Sequence, residues 1–172
     1  MESIKNKLLI LDRDSESYAR ILRDAAMERL EIHSAYTPEE AAVLCKGVNI
    51  VLGAPDLIKP ILSRIEHLEW VQSTWAGVSP LMGQDLRKDY LLTNVGDIFS
   101  SQMAEYVCCH MLMHERKSLE RFRSQQLKLW DNTVPGQLKN KSIGILGVGS
   151  IGKSIARAAK FFKMTTKGYA RS

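Results

Sequence analysis

The densest chemical signal in the chain is Gly147-Val148-Gly149-Ser150-Ile151-Gly152. It follows the apolar run Lys141-Ser-Ile-Gly-Ile-Leu146 and opens the amphipathic stretch Ile155-Ala-Arg-Ala-Ala-Lys-Phe-Phe162. Alone, a GxGxxG spacing says little. Between a strand pattern and a helix pattern, with the strand-like Thr165 to Tyr169 after it, it reads as a strand–turn–helix that cradles a dinucleotide. Gly147 permits the tight turn, Gly149 lets a pyrophosphate approach the backbone, and Gly152 lets helix and strand pack closely. Val148, Ser150 and Ile151 place the helix amides that meet the phosphates.

Selection between the two nicotinamide dinucleotides falls to the residues after the second strand. An acid there would hold a ribose 2′-hydroxyl. After Asp131 the chain has no acidic residue, and Ala170 stands where the acid would be, followed by Arg171 and Ser172. This favours a 2′-phosphate, and so NADP over NAD, because a guanidinium–phosphate hydrogen bond contributes roughly 1.5–3 kcal/mol.

The elements that position this turn are legible upstream. Apolar runs at Lys7 to Leu11, Leu30 to Tyr36, Asn49 to Gly53, Leu68 to Ser73 and Leu91 to Asn94 alternate with helical periodicity. Ser15 is expected to cap the first helix. Thr37 is expected to cap the second, with Pro38 at its first position and Ala41 to Cys45 continuing it. The third helix is expected over Ile58 to Ile65. Strands alternating with helices predict a parallel, doubly wound sheet with crossovers on both faces. Residues 1–100 are thus expected to form a flavodoxin-like α/β domain. Its ligand-facing loops are Asp12 to Asp14, Ala54 to Asp56, Thr74 to Ser79 and Val95 to Ser100. Residues 101–172 are expected to form a long helical region, broken at most once before Leu129, and then the start of a Rossmann domain.

Composition narrows the function classes. The chain has 172 residues, 45% hydrophobic and 25% charged, which is ordinary for a globular protein and excludes disordered and collagen-like readings. No apolar stretch approaches the roughly 20 residues of a membrane span, and Leu8 to Leu11 is too short for a signal peptide, so a cytoplasmic protein is expected. Cys45, Cys108 and Cys109 form no CxxC pair, and Cys108 and Cys109, in an apolar stretch, read as buried structural thiols. Residues 1–100 carry 11 Lys+Arg against 15 Asp+Glu, and residues 101–172 carry 13 against 4. No interleaving of aromatic and basic residues accompanies the basic half, so nucleic-acid binding is not expected. His110 and His114 are spaced i, i+4 without a third ligand, so no metal site is expected. Asp12, Asp14 and Asp56 would suit a phosphorylation receiver, but no lysine follows the fifth strand.

Beyond the glycine turn, Leu68-Glu-Trp-Val-Gln-Ser-Thr-Trp-Ala-Gly-Val78, Leu92-Thr-Asn-Val-Gly96, Met103-Ala-Glu-Tyr-Val107, Gln125 with Trp130, and Leu138 through Gly152 form an ordered set. With it the chain, from about Val51 to its last residue, resembles the D-isomer-specific 2-hydroxyacid dehydrogenases, particularly their glyoxylate/hydroxypyruvate reductase-like branch. The resemblance implies hydride transfer between NADPH and a small 2-oxo acid. It implies that the backbone amides of Ala76, Gly77 and Val78 take the substrate carboxylate, that Trp75 walls the pocket, and that Met103 lies near the nicotinamide. It also implies a homodimer formed through the helix after Ser101, with Met111, Leu112 and the neighbouring cysteines as its apolar surface.

The family's catalytic Arg, Glu and His lie downstream of the second Rossmann strand, and none of His33, His67, His110 or His114 matches the catalytic histidine. The 172 residues are therefore expected to be the N-terminal half of such an enzyme and inactive alone, with two Rossmann strands and one helix leaving apolar faces uncovered. The alternative is a non-catalytic nucleotide-binding or regulatory module.

Overall fold

The computed structural model describes residues 6–27 and 29–170, and the chain divides into two compact units, Met1–Gly96 and Asp97–Ser172. In the first unit, β1 (Asn6–Leu11), β2 (Leu30–Ala35), β3 (Ile50–Gly53), β4 (Trp70–Ser73) and β5 (Leu91–Thr93) form one parallel sheet in the order β2-β1-β3-β4-β5. This is the flavodoxin-like order, with its switch point between β1 and β3. The register pairs Leu9 with His33 on one side and with Val51 on the other, and Val51 in turn with Val71.

Period-two alternation along each strand divides the core between the two faces. Leu8 and Ile10 pack with Ala19, Tyr18 and Leu22 of α1 (Ser15–Asp24). Leu9, Leu11, Val51 and Val71 pack on the opposite face with Ile58, Ile61, Leu62 and Leu81.

Helix starts follow local chemistry, with two corrections to the sequence-based expectations. At α2 (Pro38–Ala42) the Thr37 hydroxyl accepts from the Glu40 N–H at 3.3 Å, and the Glu40 carboxylate accepts from the Tyr36 N–H at 2.8 Å, a reciprocal cap. At α1 the capping position belongs to Asp14, and Ser15 is instead the buried first residue of the helix. The helix expected over Ile58 to Ile65 starts earlier and is tighter: α3 covers Pro55–Ile58, and 3₁₀ turns follow over Lys59–Arg64. Pro55 opens α3 at its first position. Pro60 has no N–H to continue the α ladder, so the chain winds into 3₁₀ geometry.

In the second unit, α4 (Ser100–Glu115) and α5 (Ser118–Gln126) break at Lys117, whose φ is +50°. β6 (Ser142–Leu146) and β7 (Thr165–Tyr169) then pair in parallel, joined by α6 (Ser150–Phe161). Leu138, Ala159 and Met164 form the core with Met111, Leu112, Ile143 and Phe162. Met111 and Leu112, expected as apolar surface for a dimer, are partly buried against this unit's own core. Leu146, Phe161 and Tyr169 are exposed.

The end of α6 is a Schellman motif. Met164 N–H donates to the Ala159 carbonyl at 3.1 Å and Lys163 N–H to the Lys160 carbonyl at 2.9 Å, with Lys163 at φ +59°. A lysine in this left-handed position carries a steric cost that glycine avoids. Lys163→Gly is expected to stabilise the second unit by about 0.5–1 kcal/mol, part of the relief being offset by the freer unfolded chain. A rise in the urea midpoint at unchanged slope checks this.

No helix among the described residues is long and apolar enough to cross a membrane. Of the cysteines, Cys45 is buried and Cys108 half-buried, with burial raising both thiol pKa values, while Cys109 is exposed. The expectation of buried thiols at Cys108 and Cys109 is thus met only partly at Cys108 and fails for Cys109, which lies on the outward side of α4.

Candidate functional site

The first unit offers an open turn of amides after β4. The N–H groups of Ala76, Gly77 and Val78 have no acceptor among the described residues, and a Cβ built at Gly77 would meet nothing within 4 Å. Consecutive free N–H groups are suited to an anion. Surrounding bonds fix this turn. Ser73 Oγ accepts from Trp75 N–H and donates to the Trp75 carbonyl, both at 2.9 Å. Asn94 Nδ2 donates to the Ala76 carbonyl at 2.7 Å, while Asn94 Oδ1 accepts from Gly96 N–H at 3.0 Å. Trp75 is 40% exposed beside the turn.

The other loops at the sheet's carboxyl end are engaged internally. Arg13 pairs with Asp56 at 3.1 Å across the switch point between β1 and β3. The Asp12 carboxylate accepts from Thr74 Oγ1 at 2.7 Å and from the Asp14 N–H at 3.1 Å. Of the three carboxylates that would suit a receiver, Asp12 and Asp56 are thus engaged with neighbouring side chains. Tyr18, nearby on α1, has its hydroxyl pKa raised by burial first and by Asp12 and Asp14 after that.

The second unit carries the glycine turn. Gly147, at φ +91°, makes the left-handed step, and its N–H donates to the Tyr169 carbonyl at 2.8 Å, joining the turn to β7. Gly149 is the N-cap of α6 with no side-chain cap, and a Cβ there would meet nothing within 4 Å. Gly152 is buried, and a Cβ there would overlap the Gly147 carbonyl oxygen and lie 3.2 Å from Ile145 Cγ2. The N–H groups from Val148 through Gly152, with Ser150 and Ile151 between the glycines, have no acceptor among the described residues.

One glycine turns, one leaves open surface and one allows close packing, so the turn fits a dinucleotide's diphosphate by its own geometry. Ala170 ends the described chain, and Arg171 and Ser172 lie outside the described residues. Met103 is in the first turn of α4, 38% exposed.

No histidine stands at either turn. His33 is on β2, where Nε2 lies 2.8 Å from a Glu31 carboxylate oxygen, His67 precedes β4, and His110 and His114 are on α4. No group of three possible metal ligands occurs among the described residues. Sequence reasoning missed the Asn94 clamp and the Arg13–Asp56 pair. The Asn94-Val-Gly96 spacing was a usable signal for the first, since Asn two residues before a left-handed glycine forms a local side-chain turn.

A doubly wound sheet with an open amide turn, joined in one chain to a glycine-rich strand–turn–helix, defines a nucleotide-binding α/β protein. Comparison with known proteins narrows that class. Residues 108–172 match the family described as D-isomer specific 2-hydroxyacid dehydrogenase, NAD binding domain. The chain is 37% identical to a D-isomer specific 2-hydroxyacid dehydrogenase family protein of Aeromonas salmonicida, whose crystal structure superposes with a TM-score of 0.87 over 97% of this chain and 54% of that one. It is 34% identical over 119 residues to glyoxylate/hydroxypyruvate reductase A of Yersinia enterocolitica, covering 65% of this chain and 38% of that protein. It is 29% identical over 168 residues to rat D-3-phosphoglycerate dehydrogenase, covering 95% of this chain and 31% of that protein.

Residues 108–172 carry the NAD-binding domain of the D-isomer-specific 2-hydroxyacid dehydrogenases, and the chain as a whole is similar to members of that family. It spans about a third of the length of these curated relatives and about half of the solved one.

Proposed function

We infer that this chain carries the cofactor turn and the carboxylate seat of an NADPH-dependent cytoplasmic reductase acting on 2-oxo acids with the head group of glyoxylate or hydroxypyruvate. The observation that carries the reading is the pair of amide-lined turns, one in each unit, neither closed by a protein acceptor.

The seat at Ala76, Gly77 and Val78 fixes the carboxylate of the acid by N–H donation, with Trp75 as a wall and Asn94 holding the turn's shape. The amides of Val148 through Gly152 hold the diphosphate, Met103 borders the nicotinamide, and Ala170, Arg171 and Ser172 accommodate the 2′-phosphate. When bound, NADPH supplies a hydride to the carbonyl carbon, and a proton on the oxygen completes a 2-hydroxy acid. Neither turn has an imidazole to supply that proton. The 172-residue chain on its own therefore binds without turnover.

Dimerisation of the working enzyme is assigned to the outward face of α4, where Tyr106, Cys109 and His110 are exposed and the Tyr106 and His110 rings meet at a tilt of 60° with centroids 4.4 Å apart.

Fluorescence titration of the chain with NADPH and NADH tests the cofactor assignment. NADPH is expected to bind at least tenfold tighter, and Arg171→Asp to reverse the order, because a carboxylate repels the 2′-phosphate and accepts from a 2′-hydroxyl. Equal affinities in both proteins would remove the assignment of NADP. The non-catalytic alternative predicts nucleotide binding with no carboxylate binding at Ala76–Val78, which a titration with pyruvate separates.

A further inference from the structure

A cleft of about 660 Å³ opens beside the amide turn in the first unit, lined among others by Val78, Leu81, Met82, Lys88, Leu92 and Asn94. The glycine turn and the carboxylate seat leave it without a role. Val78 belongs to both cleft and turn, and Asn94, which lines the cleft, holds the Ala76 carbonyl at 2.7 Å, so the two are contiguous. Leu81 is fully buried at the floor and Met82 is 58% exposed at the rim. Lys88 Nζ donates to the Leu81 carbonyl at 2.8 Å, which ties its ammonium to the backbone and leaves its methylene stem along the wall. The volume lies within the roughly 300–1,000 Å³ typical of small-molecule sites, which are mostly apolar with few polar groups. A two-carbon acid seated on the amides would leave this space empty.

We propose that the cleft is a side-chain subsite, and that the acid whose carboxylate rests on Ala76–Val78 carries an unbranched apolar tail of several carbons that lies against Leu81, Met82 and Leu92. This rests on the carboxylate seat assigned above and extends it to the substrate's other end. Burial of apolar surface drives the selection, each methylene removed from water adding to affinity, so a partly buried six-carbon tail strengthens binding tenfold or more.

The test is a nitrogen–proton correlation titration of the labelled 172-residue chain with pyruvate and with 2-oxooctanoate, in wild type and in Met82→Asn. Met82 is at the exposed rim, so the variant removes apolar contact without touching the core. The expected result is that both acids move the Ala76, Gly77 and Val78 amides. Only 2-oxooctanoate moves Leu81, Met82 and Leu92 as well. It binds at least tenfold tighter, and that advantage falls below threefold in Met82→Asn while pyruvate binding is unchanged. Equal affinities, or seat amides that move while the cleft residues do not, would overturn the subsite and leave the seat standing. Failure of either acid to move the seat amides would overturn the seat, and the subsite with it.

Discussion

Gly149→Ala is expected to weaken NADPH binding at least tenfold while leaving the unfolding midpoint of the chain unchanged, whereas Gly152→Ala is expected to lower both. The two substitutions add the same methyl group at positions three residues apart, yet they meet different surroundings. At position 149 the new Cβ enters open space and the backbone, at φ −69°, is one that alanine adopts readily. Folding is not disturbed, but the methyl occupies the surface a diphosphate must approach. At position 152 the Cβ overlaps the Gly147 carbonyl oxygen and crowds Ile145 Cγ2 at 3.2 Å. The helix must then lift from β6, and overpacking of this kind costs about 1–3 kcal/mol. Paired thermal melts and fluorescence titrations check the contrast. A Gly149→Ala protein that binds NADPH as well as wild type would show that the nucleotide does not rest on this turn.

The largest stability effect is expected at Gly53, the last residue of β3. A Cβ there would overlap the Leu11 carbonyl oxygen and lie 2.8 Å from the Leu11 carbonyl carbon, both backbone atoms of the neighbouring central strand. The Leu11 carbonyl also accepts from the Ala54 N–H at 3.0 Å, so relief requires separating β1 from β3 or breaking that bond. Neither adjustment is a side-chain movement. Gly53→Ala is expected to cost about 3 kcal/mol, at the upper end of overpacking effects. That lowers the midpoint of the first unit by on the order of 15 °C at this domain size. Differential scanning calorimetry checks it, and a loss of under about 1 kcal/mol would show that the strands yield more easily than their pairing implies.

Much of this architecture was legible because strand alternation and glycine spacing are local signals. Leu8 and Ile10 face one layer, Leu9 and Leu11 the other, and the two sets can be read from the sequence period. The glycine turn was legible for the same reason, since its three roles are set within six residues. What escaped depended on contacts between distant positions. Asp14 rather than Ser15 takes the cap of α1 because Ser15 is drawn into the buried layer beneath the helix. At Met111 and Leu112 the sequence alone does not separate a dimer seam from an internal core, because the cluster of Leu138, Ala159 and Met164 on which they pack comes from later in the chain. The Arg13–Asp56 pair joins residues 43 positions apart, which no short-range pattern reports, and of the Asn94 clamp only the local turn to Gly96 is short-range, its bond to Ala76 spanning 18 positions. Lys163 is the converse case: its type gives no hint of a left-handed backbone, and only the Schellman bonds around it require one.

The role of the glycine turn depends most directly on where the nucleotide rests. Nitrogen–proton correlation spectra of the labelled chain, recorded as NADPH is added, measure that location residue by residue. The predicted result is saturable binding with the largest shifts at the amides of Val148 through Gly152, the N–H groups without acceptors among the described residues. Shifts centred anywhere else, or none in a chain whose spectrum shows both units folded, would contradict it.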